Sequence, residues 1–135
     1  MHDLSKITIE DVESKVIKEE QVVIEPKHSF SPGLYAREIL VPKGCLIVGH
    51  KHKKDCLNIL ASGKMIVKTS MEDEGMEITG PHTFHTGPGV RKLLYAVEES
   101  VFINVLMTDN TDLDKIEEEL IEKSETFLEH EKKDL

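Results

Sequence analysis

Apolar residues recur at two different periods along the 135-residue chain. Near the N-terminus Ile9, Val12 and Val16 fall at three- and four-residue intervals behind Thr8, which has Asp11 three positions on. That spacing predicts a short helix capped by Thr8. From residue 110 onward, Leu113, Ile116, Leu120, Phe127 and Leu128 form a stripe in a background of Glu, Asp and Lys, Thr111 stands where a cap belongs, and no Pro or Gly interrupts the run. The stripe predicts an amphipathic C-terminal helix, which must lie either on its own domain or on a symmetry-related copy.

Between these ends the apolar runs are short and β-rich: 34–41, 45–48, 56–61, 64–69, 76–79, 82–86, 92–97 and 101–107. Turn sequences separate them, among them Pro42-Lys43-Gly44, Ser62-Gly63, Glu72-Asp73-Glu74-Gly75, Gly80-Pro81 and Gly87-Pro88-Gly89. Short strands at such regular spacing predict an antiparallel sandwich or barrel. The expected architecture is therefore mainly β: a single jelly-roll barrel or sandwich over residues 26–109, flanked by an N-terminal helical segment over 1–25 and a C-terminal amphipathic helix over 110–135.

Size and composition narrow this further. A chain of 135 residues buries about two thirds of its unfolded surface in one core, so folding requires neither a metal nor a disulfide. Cys45 and Cys56 lack C-x-x-C spacing and are expected to be free thiols. No apolar stretch approaches the ~18 residues of a spanning helix. Met1 to Lys6 shows no basic segment followed by an apolar run, so no membrane or secretory role is expected and the cytoplasm is the expected location.

The formal charge of -9 is unevenly distributed. Residues 1–25 hold 3 basic and 7 acidic side chains, a net of -4, and residues 110–135 hold 4 and 10, a net of -6. Residues 26–109 hold 10 basic and 9 acidic side chains, a net of +1. Acidity overall argues against nucleic acid as a partner, because affinity there comes from neutralising phosphates. With four Phe, two Tyr and no Trp, base-stacking platforms are also poorly supplied. A nearly neutral barrel does not exclude a small anion. No serine elbow, phosphate loop, Rossmann glycine pattern or zinc-finger spacing is present.

The candidate chemistry lies in 44–63. His50 and His52, two residues apart on a strand, project to one face and begin a site for zinc, iron, nickel or manganese. The stretch resembles the first motif of the cupin superfamily, G-x5-H-x-H-x3-E-x6-G, with Gly44, His50, His52 and Gly63 in register and Cys56 in place of the family's Glu ligand. A thiolate also binds zinc or iron, so the resemblance implies a divalent transition metal on His50, His52 and Cys56, with one further donor from His82 or His85. The second cupin motif, G-x5-P-x-G-x2-H-x3-N, survives only as the turn character of 80–89. Lys92 stands where its last His is expected, and an ammonium is no metal ligand.

A broader resemblance covers most of the chain. The pieces Phe30-x-Pro32-Gly33-Leu34-Tyr35-Ala36-Arg37-Glu38, Leu57-Asn58-Ile59, Pro81-x-Thr83-Phe84, Pro88-Gly89-x-x-Lys92, Tyr95-Ala96-x-Glu98 and Thr111-Asp112-Leu113-x-x-Ile116-Glu117 are similar to small cupin-like proteins of tailed bacteriophages. Those proteins mostly lack an assigned function, so the likeness implies a fold, a phage origin and the host cytoplasm, and no chemistry. The positions of Cys56, Val97 and Leu106 are often His in those relatives, which implies metal ligands lost here.

Three functions follow as expectations. In the first, the barrel is a binding module holding a small anionic, nucleotide-like host molecule with His50, His52, Asn58, His82, Arg91 and Lys92. Asn58 shares the parity of the histidines, Arg91 and Lys92 follow the turn at the barrel mouth, and Arg recognises phosphate and carboxylate. In the second, the protein is a metal-dependent cupin enzyme of isomerase, lyase or dioxygenase type using the His50/His52 site. In the third it is an assembly protein whose terminal helices join subunits. A homo-oligomer is expected in each case, since exposed strand edges need covering.

Overall fold

A computed structural model of the chain describes residues 8–19, 21–70 and 74–133, with side chains through 131. Residues 1–7, 20, 71–73 and 134–135, which the expectations above include, lie outside these. Helix α1 (Ile9–Val16) opens on Thr8, whose hydroxyl accepts from the Asp11 amide while the Asp11 carboxylate accepts from the Thr8 amide. This is the capping box that the Thr8/Asp11 spacing predicts.

Strands β1 (Lys27–Ser31), β2 (Leu34–Val41), β3 (Leu46–Val48), β4 (Lys51–His52), β5 (Cys56–Ser62), β6 (Lys64–Lys68), β7 (Met76–Thr79), β8 (His82–Thr86), β9 (Leu93–Ala96) and β10 (Ser100–Met107) follow. All pairings are antiparallel. One sheet has the order β1-β2-β10-β5-β8 and the other β3-β9-β6-β7, and together they form a mainly β jelly roll. Inward positions alternate along each strand, so Ile39, Val41, Leu60 and Phe102 meet Met65, Val67, Leu94 and Ala96 between the sheets. Full burial of side chains such as Leu60 and Phe102, both 0% exposed, is worth roughly 1.5–3 kcal/mol each.

At the β5–β6 turn Gly63 adopts φ +97° and packs against the Glu99–Ser100 backbone. A side chain there has no room, which explains in physical terms why a glycine stands at this position.

The C-terminal stripe is not one helix. Helix α2 (Leu113–Leu120) ends where Ile121 becomes extended; β11 (Ile121–Glu122) then pairs with β4, and α3 (Glu125–Lys133) begins afterwards. Two forces outweigh the helical pattern. Ile121 and Glu122 supply backbone pairing to the short strand carrying His52, and Ser124 starts a new helix by accepting the Phe127 amide with its hydroxyl. Asp112, not Thr111, caps α2. Ile116 and Leu120 are buried against Tyr35, Cys56 and Leu106, so α2 closes one end of the barrel within its own subunit. Among the described residues no helix is long and apolar enough to cross a membrane.

Candidate functional site

Cross-strand register builds the site. On the inner face of the five-stranded sheet, His28, Arg37, Asn104 and Asn58 stand opposite one another across β1, β2, β10 and β5. An apolar row containing Ile39, Phe102 and Leu60 lies on one side, and a row containing Tyr35, Leu106 and Cys56 on the other. A polar belt inside a barrel costs folding energy wherever it is not fully bonded. Its presence is therefore informative.

Lys92, arriving from the opposite sheet just before β9, reaches this belt. Its Nζ donates to Asn58 Oδ1 at 2.5 Å and Asn104 Oδ1 at 3.4 Å, and lies 4.0 Å from Cys56 Sγ. Asn58 is held in that orientation because its Nδ2 donates to Phe84 O at 3.2 Å and Thr86 Oγ1 at 3.1 Å. Lys92 is 5% exposed, and no carboxylate pairs with it among the described residues. Burial lowers the pKa of Lys92, partly offset by Cys56. Cys56 is itself buried, its thiol pKa is raised by that burial, and its one S–H has Asn58 Oδ1 and Asn104 Oδ1, each at 3.5 Å, as acceptors.

Above the belt opens a cavity of about 500 Å³ whose polar lining includes Arg37, His50, His52, Lys92 and Asn104, with α2 and β11 as its cover. Its lining carboxylate, Glu117, is already paired with Lys123 at 2.6 Å. The Arg37 guanidinium has no hydrogen-bond or ion-pair partner among the described residues, yet lies near enough to His52 to act on it. Burial is the main cause that brings His52 down to about 4, followed by Lys92, Arg37 and His50. His50 is also lowered, by burial and then Arg91, and sits edge-on to Phe127 with centroids 4.6 Å apart. Both imidazoles are neutral at neutral pH, and the Nδ1 atom of each is buried without a hydrogen-bond partner among the described residues.

The expected site residues thus divide. His50, His52 and Lys92 line the cavity, while Asn58 and Cys56 support the lysine beneath it. Arg91 goes elsewhere, because neighbouring positions point to opposite sides. Its Nε donates to Gly49 O at 2.7 Å, and its guanidinium pairs with Glu13, whose other oxygen accepts from Ser124. Arg91 therefore ties both terminal helices to the barrel. His82 faces inward at the far end of β8, opposite Leu60 and beside Phe84, and His85 turns outward to Asp55 at 2.8 Å. Neither supplies a donor to the cavity.

His28, Tyr35, Arg37, Asn104 and Glu117 are polar lining residues that the sequence reading missed. Asn104, a single polar residue inside the apolar run Val101 to Met107, was an available signal. Arg37 was not, because adjacent Arg37 and Glu38 make the two faces of β2 equally charged.

The residues present do not fit a transition metal. Among the described residues no three His, Cys, Asp or Glu side chains are grouped to hold one. The chemistry of the set gives the reason: the thiol is neutral and bonded to amides, and the nearest charge to it is a lysine ammonium. A second cation placed there meets repulsion, and among the described residues the one lining carboxylate, Glu117, is already paired with Lys123.

No family model matches the sequence, and no curated protein does. Solved structures match the fold. KdgF from Halomonas sp. is similar with a TM-score of 0.58 and 19% identity, over 71% of this chain and 90% of that one. A cupin superfamily protein from Desulfitobacterium hafniense gives 0.56 and 8%, over 71% and 87%. An acetylacetone dioxygenase from Acinetobacter johnsonii gives 0.53 and 19%, over 62% of this chain and 59% of that one. The fold is a jelly roll similar to that of such cupin proteins. Likeness at these identities speaks for fold alone, and the chemistry rests on the residues described above.

Proposed function

We propose that the protein is a small-ligand-binding barrel that holds a small organic anion between Lys92 and Arg37. The observation that carries this is the Lys92 ammonium, 5% exposed and, among the described residues, bonded only to neutral groups. Burying a cation without a counter-charge costs several kcal/mol. An anion entering the cavity supplies that counter-charge, so the folded protein is already organised for it. Arg37 offers a planar fork suited to carboxylate or phosphate, and His50 and His52 offer ring nitrogens to the rest of the ligand. A cavity of about 500 Å³ is in the size range of small-molecule sites. Nucleotide-like anions, the class that the resemblance to phage proteins brings forward, lead the candidates, and sequestration is the corresponding role.

The test is a thermal-shift panel of nucleoside monophosphates, 2-oxo acids and hydroxy acids, with mass spectrometry of ligand carried through purification. At a hundredfold excess over Kd a true ligand adds about 2.7 kcal/mol, or roughly 10 °C in a domain of this size. A panel in which no anion shifts the transition, together with a protein free of carried ligand, overturns the reading.

A further inference from the structure

Beside the anion cavity lies a second one of about 460 Å³, roofed by α1 and the chain that follows it. Arg37, Ile39, Ile47 and Val48 line both, so the two spaces adjoin between β2 and β3, the outermost strand of the four-stranded sheet. One face of the helix is turned this way. Ile9, Glu13, Val16 and Ile17 recur at helical spacing; Glu13 is held down by Arg91, and Val16 and Ile17 line the space. Val22, Ile24, Leu46 and Phe127 extend the apolar walls. Phe127 borders both cavities, since its ring also stands edge-on to His50 of the first. A hollow of this kind keeps water against apolar walls, a cost that an apolar occupant removes.

Given an anion seated at Lys92 and Arg37, as proposed above, we infer that the rest of the ligand is an apolar tail lying in the second cavity beneath α1. The ligand class is therefore an aliphatic chain with one anionic end. Charge fixes its direction. Among the described residues lining the second cavity, Arg37 is the one cation, and it stands at the junction, while the carboxylates of Glu13 and Glu19 belong to the roof. The amide donors of Gln21 are already taken, its Nε2 bonding to Val16 O at 2.7 Å and Glu19 O at 2.9 Å. A second anionic group at the far end of the chain loses its water there, meets acidic side chains and finds no free donor. The Arg91–Glu13 pair, joined through Ser124 to the start of α3, fixes the helix as the cover of the tail.

Calorimetric titration of butyrate, hexanoate, octanoate and suberate into the full chain tests this. Affinity is expected to rise about fourfold for each methylene added and buried, so that octanoate binds about a hundredfold more tightly than butyrate. Suberate, with a second carboxylate at the far end of the same chain, is expected to bind about tenfold or more below octanoate. Val22→Asp and Leu46→Asp, at positions 57% and 37% exposed, should weaken octanoate by about tenfold or more and leave butyrate unchanged. Cys45, which lines the second cavity, gives a readout that needs no variant: octanoate at about ten times its Kd should slow alkylation of this thiol by iodoacetamide about tenfold, and butyrate at equal saturation should not. Octanoate no tighter than butyrate, suberate equal to octanoate, or Cys45 alkylated as fast with octanoate as without it overturns the tail, and the anion seat then stands if butyrate or a nucleoside monophosphate still binds in a Lys92-dependent way. A doubled mass in light scattering that Val22→Asp abolishes shows a second copy in the groove and overturns it too. Octanoate held equally well by Lys92→Met, or no anion held at all, overturns the tail and the anion seat together.

Discussion

Acidification is expected to destabilise the barrel through His52, and the size of the effect follows from its surroundings. Burial and the neighbouring Lys92, Arg37 and His50 bring the imidazole from the ordinary 6.5 to about 4. In the unfolded chain it titrates near 6.5. Between these two values the unfolded state binds more protons than the folded one, so folding stability is lost as the pH falls through that window. The full contribution is present above about pH 6.5 and gone below about pH 4. The displacement corresponds to about 3 kcal/mol. Carboxylates also titrate in this range, so the quantity to measure is a difference. Urea unfolding of the wild type and of His52→Gln at pH 7.5, 6.5, 5.5 and 4.5 isolates the imidazole. The advantage of the wild type over the variant is expected to shrink by about 2.5 kcal/mol across the series, with most of the change between pH 6.5 and 4.5. A bound anion reduces the drop, since its charge offsets Lys92 and Arg37. A difference that stays level to within about 0.5 kcal/mol, below the smallest effect expected of a buried titrating group, refutes the placement of His52 in a desolvated, cation-lined cavity.

Arg91→Met leaves Glu13, 5% exposed, without its cation, and a loss of about 3–5 kcal/mol in chemical denaturation is expected. Adding Glu13→Met removes the stranded charge and should recover most of it; a double variant as unstable as the single contradicts the pairing. Gly63→Ala drives a Cβ into Ser100 Oγ and Glu99 O at φ +97°, so a loss of about 3 kcal/mol or more is expected by calorimetry. Protein grown with added zinc, iron, nickel and manganese should contain far less than one equivalent of any of them in elemental analysis. One tightly held equivalent, lost in His50→Ala/His52→Ala, would falsify the conclusion that the donors do not fit a metal.

The β-architecture was legible because one face of each strand is buried and alternation exposes it, as in β5, where Cys56, Asn58 and Leu60 all face inward. The capping box at Thr8 was legible for a similar reason, since both partners lie within one turn. The break at Ile121 was not. It depends on pairing with β4, some seventy positions away, and a local helical pattern carries no trace of such a partner. At the site, the spacing of His50 and His52 and the parity of Asn58 identified the inner face. Two adjacent cations, Arg91 and Lys92, were grouped by their proximity in the sequence, although one leads to Glu13 and the other to Asn58. The unpaired state of Lys92 depends on which carboxylates fail to reach it, and only the assembled barrel defines that.

The central claim is that Lys92 is a buried cation awaiting an anion, and calorimetric titration of the panel's best anion into wild type and Lys92→Met tests it most directly. In the variant an apolar chain of similar length replaces the ammonium, so the empty protein should keep its stability to within about 1–2 kcal/mol, the desolvation relieved offsetting the hydrogen bonds lost to Asn58 and Asn104. Anion affinity should fall about a hundredfold or more, equivalent to about 2.7 kcal/mol. Equal affinity in the two proteins, with both folded, would contradict the claim.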